Sequence, residues 1–97
     1  MIISYSNNVK KKFKDKKSIK KDYGELSGSI IFVLSVLIGA DNLSQVPNVP
    51  PTRRHKLSNG FWAVDLNRNW RLLIRPVDGN EPDSITAIEI IDIVDYH

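Results

Sequence analysis

Cysteine is absent from this 97-residue chain, which removes disulfides and thiolate metal sites and leaves the redox compartment open. Histidine is nearly absent too. His55 and His97 are the only two, and no His-x3-His or similar spacing exists, so no metal site is expected. The chain also lacks an apolar run long enough to cross a bilayer. Its most apolar stretch, Ile30 to Ile38, lies in a helix-sized segment of about sixteen residues, roughly 24 Å long against the ~30 Å of bilayer hydrocarbon. No signal peptide opens the sequence, because Met1-Ile2-Ile3 passes directly into Ser-Tyr-Ser-Asn-Asn. A cytoplasmic protein with no membrane partner and no cofactor is the expectation. Repeats are missing, and so is low complexity beyond one lysine-rich block.

What remains is a single domain, residues 1–97, with the composition of an ordinary soluble protein and room for one modest core. Its charge is unevenly spread. Residues 1–60 carry a balance of +7 and residues 61–97 a balance of −4. Eight of the nine lysines fall between Lys10 and Lys21. That block reads as a polyanion-binding surface, with Lys10, Lys14, Lys17 and Lys21 as phosphate contacts alongside Arg53, Arg54 and Lys56. The plainer reading is a solvated helix face. Against it, Lys10/Lys14, Lys12/Lys16, Lys16/Lys20 and Lys17/Lys21 would be like-charge i,i+4 pairs on a helix, each costing a few tenths of a kcal/mol.

The pattern of elements is β-α-α-β-β-β-β. Ile2–Tyr5 is a short strand, and Asn7-Asn8 caps a first helix from about Val9 to Lys21. Asp22-Tyr-Gly-Glu25 has capping-box spacing for a second helix that stops at Gly39. That helix is apolar nearly all round, which predicts that a partner covers part of the region 26–49, a second copy of the chain being one candidate. A proline-rich loop follows to Thr52, then a strand begins at Arg53. Phe61–Leu66 and Trp70–Pro76 form a hairpin over Asn67-Arg68-Asn69. The three-residue loop sorts apolar residues onto one face by pairing Leu66 with Trp70, Val64 with Leu72 and Trp62 with Ile74, and it sets Asp65 opposite Arg71. Asn69 is the expected left-handed residue. An acidic turn, residues 78–84, leads to the last strand.

That strand, Ile88 to His97, is apolar and β-branched and ends in Asp95-Tyr96-His97. Such an end is either a polar strand terminus or a means of placing proton-transfer groups. Taken with Arg54-His55-Lys56-Leu57 and Asn67-Arg-Asn-Trp-Arg-Leu72, it resembles the plasmid-maintenance killer toxins of the HigB type, in the RelE/ParE superfamily. The resemblance runs the length of the chain and keeps the order of the elements.

The resemblance implies an α+β fold, RelE-like, with two helices from the N-terminal half packed on a twisted, mainly antiparallel sheet. It implies a toxin of a type II toxin–antitoxin system, an endoribonuclease that cuts mRNA on the ribosome and is neutralised by a cognate helix-turn-helix antitoxin of the HigA kind. The family's active positions correspond to His55, Arg71, Asp95, Tyr96 and His97. These types suit metal-independent attack of a 2′-hydroxyl on the adjacent phosphate, which needs a base, an acid and positive charge on the phosphorane. Each also has a structural reading: Arg71 pairing with Asp65, Tyr96 packing, His55 satisfied in the fold. The chain departs from the family in the short Ser58-Asn59-Gly60 turn, where relatives carry a longer basic stretch, and in its uncharged second helix. Two alternatives follow. One is a toxin that has lost cleavage and binds its antitoxin only; the other is a non-nucleolytic inhibitor of the gyrase type, a branch that lacks the terminal Tyr-His.

Overall fold

A computed structural model describes residues 1–95. Five strands form one mixed sheet in the order β1-β5-β4-β3-β2: β1 Ile2–Tyr5, β2 His55–Lys56, β3 Trp62–Asp65, β4 Trp70–Pro76 and β5 Ala87–Asp95. β1 runs parallel to β5, and the other neighbours are antiparallel. Two helices, α1 Lys16–Tyr23 and α2 Ser27–Gly39, cover one face. The α+β architecture and its element order are those expected from the sequence.

The hairpin register is also as expected. Asp65 pairs with Arg71, Val64 with Leu72 and Trp62 with Ile74. Val64, Leu72 and Ile74 are fully buried against the helices. Asn69 is not the left-handed residue: Arg53, with φ 42°, is the one non-glycine at positive φ among the described residues. The loop closes another way. The Asn67 side-chain oxygen accepts from the backbone N–H of Asn69 and of Trp70, both at 2.8 Å, so the turn is held without a left-handed residue.

The first helix starts later than the pattern suggests. Residues 7–14 form successive turns, and α1 begins at Lys16 with Asp15 as its cap, its carboxylate accepting from Ser18 N at 2.7 Å. Two pressures account for this. Val9 and Phe13 must both be buried, and Phe13 is wedged between Tyr5 and Tyr23 at 5.7 Å from each ring. A helix through 10–17 would also stack lysines on lysines. The expected start of α2 at an Asp22 cap is displaced as well. Asp22 lies inside α1, Gly24 turns the chain at φ 53°, and a 3-10 turn over Gly24–Leu26 leads into α2.

α2 buries Ile30, Val33, Leu34 and Leu37. Contrary to the expectation from the Ile30–Ile38 stretch alone, the run Lys16–Gly39 taken as one helix has the length and apolarity to cross a membrane. Here Gly24 breaks it, and these four residues pack into the domain core. The Met1 ammonium donates to the carbonyls of Leu37, Ile38 and Ala40, the first two at 3.2 and 3.1 Å, so a positive charge closes the C-terminal end of α2.

The acidic turn lies at the far end of β4 from Arg71, roughly 17 Å away at five residues of strand rise. Gly79 is obligatory there: its φ is +67°, and a Cβ would stand 2.5 Å from the Ser84 carbonyl oxygen. The Asp78 carboxylate accepts from Thr86 N and Ala87 N at 2.9 and 3.0 Å and from the Thr86 hydroxyl. β5 then carries one extra residue, Ile91, opposite the Leu73–Ile74 step. This bulge shifts the alternation of everything that follows it.

Candidate functional site

Residues paired across neighbouring strands share a face of the sheet. Ala63 stands between His55 and Leu73, and Arg71 stands opposite Asp65. All of these alternate with Trp62, Val64, Leu72 and Ile74 of the core, so His55, Asp65 and Arg71 occupy the face turned away from the helices, where Ala63 is fully covered and the Arg71 Nε is buried. His55 and Arg71 are two strands and two residues apart, about 12 Å between Cα atoms from sheet geometry. Side chains of that length can flank one phosphate.

The proline-rich loop holds His55 in place. Thr52 is buried, and its hydroxyl donates to Pro47 O at 2.8 Å. Asp65 N donates to Thr52 O at 2.8 Å, tying the loop to β3. Arg53 then grips the Asp65 carboxylate through Nε at 2.7 Å and Nη2 at 3.3 Å. His55 Nδ1 lies 2.7 Å from the Arg53 carbonyl. A carbonyl only accepts, so Nδ1 carries the hydrogen and Nε2 is left to exchange a proton with a ligand.

The other predicted positions divide between places. Arg54 turns to the helix side, where its Nε donates to Val46 O at 2.8 Å and its guanidinium lies 5.4 Å from the Trp62 ring centroid. Burial lowers its pKa from the usual arginine value. Lys56 is exposed on β2, one residue further from Arg71 than His55. Asp95 is exposed and pairs with Trp70, on the face opposite Arg71. Tyr96 and His97 lie outside the described residues. Lys10, Lys14, Lys17 and Lys21 are all exposed, the first two in the turns and the last two on α1, and so belong to the helix layer. Among the described residues, no group of three or more His, Cys, Asp or Glu stands close enough to hold a metal ion.

Sequence reasoning missed one feature on the helix side of the sheet, across from Arg71. A cavity of about 570 Å³ opens between the end of α1 and the Trp70 end of the sheet, lined by Lys12, Tyr23, Asn67, Trp70 and Asp92 among others. Burial, then the charges of Asp92 and Asp22, raise the Tyr23 pKa. Trp70 is 38% exposed at its rim. The signal was present in the Asn-x-Asn-Trp motif, but the position of α1 over the hairpin was not.

No protein-family model matches the sequence, and no curated protein matches it. Solved structures do match. YafQ from E. coli, in a histidine-to-glutamine variant, superposes with a TM-score of 0.60 over 97% of this chain and 91% of its own, at 16% identity. The fold is shared with bacterial toxins. A YoeB/ParE toxin from Agrobacterium tumefaciens gives a TM-score of 0.61 over the full length of both chains at 11% identity. YafQ in the E. coli DinJ–YafQ complex matches as the variant does, at 0.60 and 16%. At these identities the likeness is one of fold.

Proposed function

We propose that this chain is the toxin of a type II toxin–antitoxin system, an endoribonuclease of the HigB type that cuts mRNA on the ribosome. The observation that carries the proposal is the shared open face of His55 and Arg71, on a fold common to YafQ and YoeB/ParE toxins. In the reaction, a base takes the proton of a 2′-hydroxyl as its oxygen attacks the adjacent phosphorus. The 5′-oxygen leaves with a proton from an acid, giving a 2′,3′-cyclic phosphate and a 5′-hydroxyl. His55, with Nε2 available, and His97 serve as the acid–base pair. Arg71 offers a planar fork to the phosphorane oxygens. Tyr96 contacts the scissile nucleotide, while Asp95, on the face opposite Arg71, takes no part on the His55 side.

The partners that follow are mRNA, the ribosome and a helix-turn-helix antitoxin, in the cytoplasm. One solved relative, YafQ, is in complex with DinJ. A second reading, a toxin that retains antitoxin binding without cleavage, is favoured by the tight β2–β3 hairpin, in which Leu57 N already donates to Phe61 O at 2.8 Å and no basic loop intervenes. Cell-free translation with mapping of message ends separates them. Discrete cuts in translated message support the nuclease, and undisturbed translation without cuts supports the second reading.

A further inference from the structure

Asp65 holds the segment before His55 from two sides. Its backbone N–H donates to Thr52 O at 2.8 Å, and its carboxylate takes both prongs of the Arg53 fork, Nε at 2.7 Å and Nη2 at 3.3 Å. Arg53 N donates in turn to Val49 O at 2.9 Å, so this residue is tied through its backbone and its side chain. Its own carbonyl is the group 2.7 Å from His55 Nδ1. Arg53 also stands at φ 42°, a left-handed backbone that a non-glycine residue takes only where its surroundings hold it there. The Asp65 side chain is 15% exposed, so its charge is mostly withdrawn from water and Arg53 compensates it.

A tie between loop and strand would account for the ion pair alone. It does not account for the strained residue being the one whose carbonyl meets an imidazole. Strain of this kind collects where a group has to be aimed. Relaxing Arg53 to extended backbone would swing that carbonyl away from Nδ1. Which ring nitrogen of a histidine carries the hydrogen is set by the bond the other one makes, so the His55 tautomer depends on this carbonyl. We propose that Asp65 is a positioning residue for His55. Its carboxylate clamps Arg53 in the left-handed conformation, the Arg53 carbonyl accepts from Nδ1–H, and Nε2 keeps its lone pair for the proton of the 2′-hydroxyl. The proposal rests on the reading of His55 as a proton-transfer group in RNA cleavage.

Long-range ¹H–¹⁵N correlation spectra of the whole protein test it without any cleavage. They are taken at a pH about two units above the ordinary histidine value, where the imidazole is neutral, and His55→Ala assigns the signals. The unaltered protein should show His55 with a protonated Nδ1 and an unprotonated Nε2. Asp65→Ala should bring the two nitrogen shifts towards each other as the tautomers mix, and Asp65→Glu, which keeps the carboxylate, should restore their separation. Arg53→Gln breaks the clamp from its more exposed side and gives the same comparison if Asp65→Ala does not fold. Cleavage of translated message should slow by about 10–100-fold in Asp65→Ala, as loss of a supporting group typically does. An unchanged tautomer in Asp65→Ala and Arg53→Gln overturns the proposal, even where cleavage slows, and so does an Nε2–H tautomer in the unaltered protein. A tautomer that follows Asp65 in a protein that cuts no message upholds the positioning and overturns the nuclease reading instead.

Discussion

Arg53 and Arg54 are adjacent and carry the same side chain, yet one guanidinium holds Asp65 on the open face and the other lies over Trp62 on the helix side. Their energetic weights should differ accordingly. The Arg53 side chain is 42% exposed, so the surface value of an ion pair applies, about 1 kcal/mol or less. Losing Arg54 removes a desolvated cation–aromatic contact and leaves the Val46 carbonyl without its donor, together about 2 kcal/mol. Urea unfolding should therefore rank Arg54→Ala as clearly less stable than Arg53→Ala. Equal midpoints would mean that the Trp62 contact contributes little. The sequence named both arginines as candidates for RNA but could not separate them. The backbone of Arg53 at φ 42° breaks the in–out alternation on which such a reading depends.

The hairpin was legible because its period-2 pattern admits only one register that buries Val64, Leu72 and Ile74 together. The helical half was less so. Lysines dominate residues 10–21 and give no periodic stripe, so the positions of Phe13 and Ile19 are decided by tertiary packing. α2 is apolar on every side, and composition alone could not say which residues face the core. The structure separates them, and stability should follow. Leu37 is fully buried, and Leu37→Ala should cost about 2–5 kcal/mol. Phe32, half exposed, should lose well under about 1 kcal/mol on truncation. A similar drop in Tm for both would mean that Phe32 is covered in solution. The β4–β5 loop carries a pH signature. The Thr86 and Ala87 hydrogen bonds hold the Asp78 pKa below its ordinary value. A depressed folded-state value means that its stabilisation is complete above the unfolded carboxylate value of about 4 and is lost as pH falls through the lower, folded one. Asp78→Asn should thus flatten the fall of Tm in acid, and an unchanged acid limb would remove this loop from the pH response.

Across the whole molecule, charge and layer coincide. The lysine block sits on the helix layer, His55 and Arg71 on the open face, and the acidic turn at the far end of the sheet. A polyanion that met both the lysines and Arg71 would have to wrap an edge of the sheet. If it does, changing Lys10, Lys14, Lys17 and Lys21 to glutamine should reduce the salt slope of RNA binding by roughly 0.7 log units per lost phosphate contact. An unchanged slope would confine RNA to the open face. The bulge at Ile91 is the feature that no pattern announced, and it sets the parity of β5 on its way to Asp95.

The central claim is that His55 and Arg71 serve one reaction on that open face. Its most direct test is the chemistry of the ends left on message cut during ribosome-bound translation. The account predicts 2′,3′-cyclic phosphate and 5′-hydroxyl ends with the unaltered protein. Arg71→Ala and His55→Ala should each cut about 10²–10⁴ more slowly while keeping the fold. No cleavage by the unaltered protein, ends bearing 5′-phosphate, or full activity in both variants would contradict it.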